Sequence, residues 1–180
     1  MKKILVICFV SLLNGCAAGN WYKAETSTTA RLRAVALDSP NASLSVIPTP
    51  SCEPKEETVL GWFHPSAESF QASRRGFDRR IGMPLAETYP KNQFAEHLID
   101  ASKPIVIFSR GLYYTGPTVY SFRECHKVGT FTPLTNHDYE VVYTSSGKEC
   151  NLSLFEIKTE GGSSKRIEIS FDSQNPSCNK

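Results

Sequence analysis

Four arginines fall within seven positions, Arg74, Arg75, Arg79 and Arg80, with Gly76, Phe77 and Asp78 between them. Guanidinium forks grip carboxylates and phosphates through paired hydrogen bonds. This group is therefore the chain's best candidate for binding chemistry, toward an acidic protein, a lipid headgroup or a lipopolysaccharide phosphate. The competing reading is a solvated loop partly neutralised by Glu68, Asp78 and Glu87. The histidines, His64, His97, His126 and His137, are far apart, with no pair at a spacing that shares a helix or strand face. Each reads as a surface or turn residue, and no metal site is expected. No Gly-x-Ser-x-Gly occurs, and Ser145 and Ser146 fall in a hairpin-like connection with no base to orient them. Glu56 with Glu57, and Asp138 with Glu140, read as solvated acidic pairs. A glycosidase requires two carboxylates about 5–9.5 Å apart, which no spacing here identifies. No catalytic residue and no cofactor are assigned, and the chain is not expected to be an enzyme.

Six cysteines are the remaining reactive groups. No Cys-x-x-Cys occurs, and the spacings fit no zinc template. Their roles depend on the first nineteen residues, MKKILVICFVSLLNGCAAG. Lys2 and Lys3 precede an almost wholly apolar run from Ile4 to Leu13, and Gly15 and Cys16 close the segment. A charged start, a short apolar run and small residues make a secretory leader, too short to span a bilayer. Leu13, Asn14, Gly15 and Cys16 resemble the lipobox of bacterial lipoproteins, with Asn14 the less usual occupant of its place. The resemblance implies a signal peptide over residues 1–15, cleavage before Cys16, and a diacylglycerol on the Cys16 sulfur. It also implies a membrane partner reached through that lipid. Ala17 after the cysteine implies, in Gram-negative lipoproteins, sorting to the outer membrane, with the domain facing the periplasm. Several acyl chains, at about 0.8 kcal/mol per buried CH₂, anchor a domain durably.

On that reading Cys8 leaves with the leader and Cys16 carries lipid. Cys52, Cys125, Cys150 and Cys178 remain in an oxidising compartment, where four cysteines allow three pairings. Cys125–Cys150 with Cys52–Cys178 is the favoured set. The first pair would staple two strand-like segments, and the second would tie the C-terminal tail to an early loop. Of the 20 basic residues, Lys2 and Lys3 lie in the leader, so 18 remain to balance 18 acidic ones. Nucleic acid is excluded as a partner, because its binders are strongly basic.

The elements that must position these groups are strands. Residues 16–28 read as a lipidated terminus and polar tether, and residues 29–180 as one domain. From Thr29, Ala30, Leu32, Ala34 and Ala36 alternate with Arg31, Arg33 and Val35, the period-two pattern of a half-buried strand. Further strands are predicted over 44–47, 59–63, 94–99, 104–110, 118–124, 127–134, 139–144, 150–159 and 165–171. Ser66 to Asn92 is a long irregular insertion after the third strand, with one short helical turn. Loops of that length inside a compact domain often carry function. Tyr113, Tyr114, Tyr120 and Phe122 form an aromatic patch, half of it core, that offers a second contact surface. Nine or ten short strands separated by frequent turns predict an all-β, antiparallel sandwich.

Phe131, Pro133 and Leu134 lead through a polar corner to Tyr139 and Val141. A ring at such a place resembles the tyrosine corner of immunoglobulin-like sandwiches. Together with Cys125 and Cys150, the segment resembles small Gram-negative envelope lipoproteins of unassigned function, whose domains are immunoglobulin- or transthyretin-like. The likeness covers about the last sixty residues and the lipobox, and it implies fold and address without an active site. The expected role is a non-catalytic binding or assembly module contacting an envelope protein or anionic envelope component. The alternatives are an envelope hydrolase of cell wall or polysaccharide, and a secretion-system accessory or immunity lipoprotein.

Overall fold

The computed structural model describes residues 20–39, 41–63, 79–89, 93–114, 122–146 and 149–172. Within them nine strands follow in order: β1 (Thr29–Leu37), β2 (Asn41–Ile47), β3 (Thr58–Phe63), β4 (Phe94–Asp100), β5 (Ile105–Tyr114), β6 (Phe122–Phe131), β7 (Asp138–Ser146), β8 (Glu149–Glu160) and β9 (Ser163–Ile169). They form a five-stranded sheet in the order β4-β1-β7-β8-β9 and a four-stranded sheet in the order β3-β2-β5-β6. The expected all-β sandwich is present, with no helix among the described residues. Every ladder is antiparallel except β1 with β7, which is parallel.

Strand alternation builds the core between the sheets. Leu32 and Ala34 of β1, Leu44 of β2, Leu60 of β3, Ile99 of β4 and Ile107 of β5 turn inward. Val141 and Tyr143 of β7 and Leu154 of β8 meet them from the other strands. Gly111 matters because a Cβ there would lie 2.3 Å from the Tyr143 hydroxyl. Its absence lets that hydroxyl donate to the Cys125 carbonyl at 3.2 Å.

The chain changes sheets at three described corners, β1 to β2, β4 to β5 and β6 to β7. Each holds a short polar residue in the left-handed region: Asp38 (φ 54°), Ser102 (φ 66°) and Asn136 (φ 62°). Small polar side chains tolerate that conformation better than branched or bulky ones. The β8–β9 hairpin instead turns through Gly161 (φ 59°) and Gly162 (φ 83°), the pair of positive φ angles that a type I′ turn requires. The tyrosine corner forms as expected: the Leu134 N–H donates to the Tyr139 hydroxyl at 3.0 Å, and Phe131 packs edge-on against the Tyr139 ring. Cys125 of β6 and Cys150 of β8 form the expected disulfide, Cα to Cα 6.1 Å, and it joins the two sheets. Closing a loop of 25 residues contributes about 3 kcal/mol in the chain-entropy view.

Several expectations change. Of the segments predicted over 118–124 and 127–134, residues 118–121 lie outside the described residues, and the rest form one strand from Phe122 to Phe131, because Cys125 and His126 stay in register opposite Gly111 and Arg110. Residues 20–28, read as tether, are packed against the domain. Trp21 bridges to Val59 in parallel, the Tyr22 N–H donates to the Val59 carbonyl, and the Val59 N–H donates to the Asn20 carbonyl. β1 is buried on both faces, so Arg33 lies in the interior. The described part of the long insertion, residues 79–89, is irregular and carries no helical turn.

Candidate functional site

The outward positions of β1 explain the most charged part of the interior. Alternation that points Leu32 and Ala34 into the core points Arg31, Arg33 and Val35 the other way. The register then places Arg33 directly opposite Glu96 of β4 on one side and Glu140 of β7 on the other. Arg31 likewise faces Asp138, and its guanidinium pairs with both carboxylate oxygens at 2.5 and 2.6 Å.

Residues 79–89 lie across this row as a strap. Arg33 donates from Nε and Nη2 to Glu96 Oε1 (3.1 and 2.8 Å) and from Nη1 to Glu140 Oε2 (3.1 Å). Its Nη2 also donates to the carbonyls of Met83 (3.1 Å) and Pro84 (2.9 Å). The other oxygen of Glu96 accepts the backbone N–H groups of Ile81, Gly82 and Met83 at 2.7, 3.0 and 3.3 Å. Glu140 Oε1 accepts from the Tyr89 hydroxyl and from Arg166 Nε, each at 2.6 Å. Arg166 reaches on to Glu87 at 2.5 Å and to the Tyr89 hydroxyl. Beside the polar lattice, Val35, Phe94 and Val142 pack with Tyr89 and Phe155 as a small apolar cluster. Arg33 and Glu140 are wholly buried and Glu96 nearly so.

Charges this deep survive only when paired and fully hydrogen-bonded. Burial alone would push the Glu96 carboxyl up, but Arg33 and the N–H groups of Ile81 and Met83 outweigh it and hold it low. Burial, then the hydrogen bond to Glu140, keeps the Tyr89 phenol protonated far above its ordinary range. The Arg166 guanidinium is held charged by Glu140 against the opposing effect of burial. Glu96 and Glu140 are closed to water, and what they do is hold a strap.

A second carboxylate on β4 holds the N-terminal segment. Asp100 Oδ1 accepts the N–H groups of Glu25 (3.0 Å) and Thr26 (2.8 Å) and the Thr26 hydroxyl (2.8 Å). Its Oδ2 accepts the buried Tyr22 hydroxyl at 3.0 Å, and Lys103 lies 3.4 Å away. Burial works against the ionised form, yet these donors hold the Asp100 carboxyl well below the usual range. The Tyr22 phenol is pushed up to about 12, chiefly by burial.

Between the two holds lies His97, which the sequence reading put at the surface. It is 1 % exposed, because strand alternation turns Ala95, His97 and Ile99 toward the inter-sheet core, with His97 opposite Leu32. The β2–β3 register slips at Leu44 and Ser45, leaving Leu60 as an extra residue on β3. His97 Nε2 hydrogen-bonds the carbonyl of that bulged residue at 2.5 Å, linking the two sheets. Its Nδ1 has no partner among the described residues. Burial lowers the imidazole to about 4, so it is neutral at physiological pH.

Of the arginine group, Arg79 and Arg80 are described, whereas Arg74 and Arg75 lie outside the described residues. The Arg79 carbonyl accepts the Glu96 N–H at 2.9 Å, and the Arg80 guanidinium lies 3.1 Å from the centre of the Phe94 ring. These two residues therefore begin the strap. Asp138 and Glu140, read as a solvated pair, are instead partners of Arg31 and Arg33. His126 pairs with Glu124 at 3.0 Å and His137 with Glu156 at 2.7 Å. Cys52 is also disulfide-bonded. Its expected partner Cys178, the expected lipid-attachment residue Cys16, His64 and the side chains of Tyr113, Tyr114, Tyr120 and Phe122 fall outside the described residues. Among the described residues no three His, Cys, Asp or Glu side chains converge as a metal site. The sequence reading did not single out Arg33, Glu96 or Arg166. For Arg33 and Glu96 the signal was a charged residue inside an apolar strand, which becomes informative only once register is known, and Arg166 in the polar strand β9 carried none. No family model, curated protein or solved structure matches this chain.

Proposed function

We propose that this chain is a lipid-anchored binding or assembly module of a bacterial envelope, tethered through Cys16 and facing the periplasm, and that it works by contact without turnover. The observation that carries the reading is the Cys125–Cys150 disulfide joining the two sheets, accompanied by a second disulfide at Cys52. Such bonds persist in oxidising compartments and are rare in the cytosol. The lipobox-like Leu13 to Cys16 supplies the route there. Four charged residues buried in the sandwich serve its architecture: Arg33, Glu96, Glu140 and Asp100 bond one another or backbone groups. That arrangement favours a rigid scaffold presenting surfaces over a reaction centre. The partners in this reading are the membrane, through lipid, and an envelope protein or anionic component.

Metabolic labelling with palmitate, with and without globomycin, tests the anchor. Labelled protein whose precursor accumulates under globomycin is the expected result. A chain that takes up no palmitate and is processed normally would remove the address. Crosslinking in intact cells followed by mass spectrometry then tests the contact role, with a reproducible envelope partner expected. A turnover abolished by one polar substitution away from the cysteines would replace this reading with an enzymatic one.

A further inference from the structure

Strand register lays one row of side chains across the outer face of the four-stranded sheet. Trp62 of β3 is opposite Ser43 of β2, Ser43 is opposite Arg110 of β5, and Arg110 is opposite His126 of β6. Their chain neighbours Phe63, Leu44, Gly111 and Cys125 turn toward the inter-sheet core, so alternation turns this row outward. Across three ladders, at about 4.8 Å each, the row is about 14 Å long. That is a length for a chain of sugar rings rather than a single small molecule.

Trp62 is 44 % exposed. A lone indole on a surface is ordinary; the groups beside this one are not. The Arg110 guanidinium leans over the Phe108 ring at 5.3 Å and lies 3.9 Å from Glu57, beyond hydrogen-bond reach. Its Nε is buried without a partner among the described residues, while the side chain as a whole is 39 % exposed, so the rest of the fork is open to solvent. Ser45, opposite Phe108 on the same face, is wholly buried, and its Oγ likewise has no partner there. Buried polar atoms are nearly always satisfied, and one left alone points to a group from outside the chain.

Charge decides the class of that group. Each basic side chain in the row has a carboxylate beside it, Glu57 near Arg110 and Glu124 3.0 Å from His126. The face therefore carries neither sign in surplus. An anion meets the two carboxylates, and a basic peptide meets the guanidinium. A neutral polyhydroxyl ligand uses both, taking N–H donors and carboxylate acceptors in turn. A pyranose with equatorial hydroxyls has apolar C–H faces and polar edges, which suits a flat indole set beside a polar row.

We propose that the outer face of the four-stranded sheet binds a neutral β-1,4-linked glycan, with one ring stacked on Trp62 and the hydroxyls of its neighbours bonded by Arg110, Glu57, His126 and Glu124. The proposal rests on the reading of the chain as a contact module and supplies a partner chemistry for this face.

The test titrates the full chain, in a sugar-free detergent, with fluorescein-labelled β-1,4-linked pentasaccharides of glucose and of N-acetylglucosamine, read by anisotropy. At least one of them binds, and raising the salt concentration does not weaken it. Trp62→Ala weakens binding by about tenfold or more, Trp62→Tyr retains it, and Arg110→Met weakens it several-fold. Trp21→Phe, away from the row, binds as the parent does. No binding of either pentasaccharide, Trp62→Ala binding as tightly as the parent, or tighter binding of a sulfated pentasaccharide would overturn the proposal. Release of reducing ends from a bound pentasaccharide keeps the row and removes the non-catalytic reading. A protein crosslink in cells with neither pentasaccharide bound keeps the contact module and removes the row.

Discussion

Glu96 and Asp100 lie on the same strand and the same face, and each fastens an irregular segment to the sandwich by its backbone. Glu96 holds the 79–89 strap through three N–H groups, and Asp100 holds the 25–26 backbone through two. What balances the charge differs. Glu96 has a buried guanidinium beside it, and that guanidinium is shared with a second buried carboxylate, Glu140. Asp100 relies on neutral donors, the backbone of residues 25 and 26 and the hydroxyls of Tyr22 and Thr26, with a half-exposed Lys103 at the edge. The first hold is a closed ionic unit in which no member is dispensable. The second is a carboxylate in a cup of dipoles, which can lose members one at a time.

That contrast is sharpest at Arg33. Arg33→Met leaves buried Glu96 without a cation and Glu140 with Arg166 alone, and should destabilise by about 3–5 kcal/mol in urea unfolding. Replacing Arg33, Glu96 and Glu140 together with apolar residues of similar volume should recover much of that loss. A loss below about 1 kcal/mol for Arg33→Met would mean that water reaches the pair, and the two holds would then be alike.

Acid probes the inner row between them. Burial lowers His97 to about 4 from an ordinary 6.5, so the folded protein refuses a proton that the unfolded chain accepts in that interval. Stability from this site is complete above pH 6.5 and is lost as pH falls toward 4, by roughly 3 kcal/mol. Unfolding free energies of the parent and His97→Gln, compared at pH 7 and pH 4.5, should converge at the lower pH. Curves that stay parallel would show that His97 is not the group titrating.

How far the sequence showed these features follows the distance over which each is encoded. The tyrosine corner was legible because Tyr139 and Leu134 are close in the chain. The Cys125–Cys150 staple was legible from spacing and compartment, although spacing did not say that it would join opposite sheets. Arg33 read as the polar face of a half-buried strand, since nothing local shows that residues 79–89 return to cover it. His97 read as surface for a related reason. Its partner is a carbonyl exposed by a bulge on a strand more than thirty residues earlier, and bulges leave little trace in composition. Residues 20–28 read as a tether because their composition is polar. Their anchors on a distant aspartate are two hydroxyls, of Tyr22 and Thr26, and two N–H groups.

Within the Asp100 cup the members should rank. Asp100→Ala removes the common acceptor and leaves the Tyr22 hydroxyl and two backbone donors unsatisfied, for about 1–3 kcal/mol. Tyr22→Phe deletes the donor on Oδ2 while the three on Oδ1 remain, for about 1 kcal/mol. Hydrogen exchange at the Glu25 and Thr26 amides should rise strongly in the first variant and little in the second. Equal protection in both would place the hold elsewhere in the segment.

The smallest expected effect carries the most about mechanism. Among the described residues Lys103 is the one full positive charge beside Asp100, at 3.4 Å, but its side chain is 47 % exposed and it is shared with the exposed Glu25. Exposed pairs of this kind contribute about 0–1 kcal/mol, and salt screens them. If dipoles rather than the ammonium hold the Asp100 charge, Lys103→Ala should change stability by less than about 0.5 kcal/mol, and raising the salt concentration should leave that difference unchanged. A loss comparable to that of Asp100→Ala, shrinking as salt is added, would make the cup an ion pair after all. Asp100 would then resemble Glu96 in kind and differ only in depth.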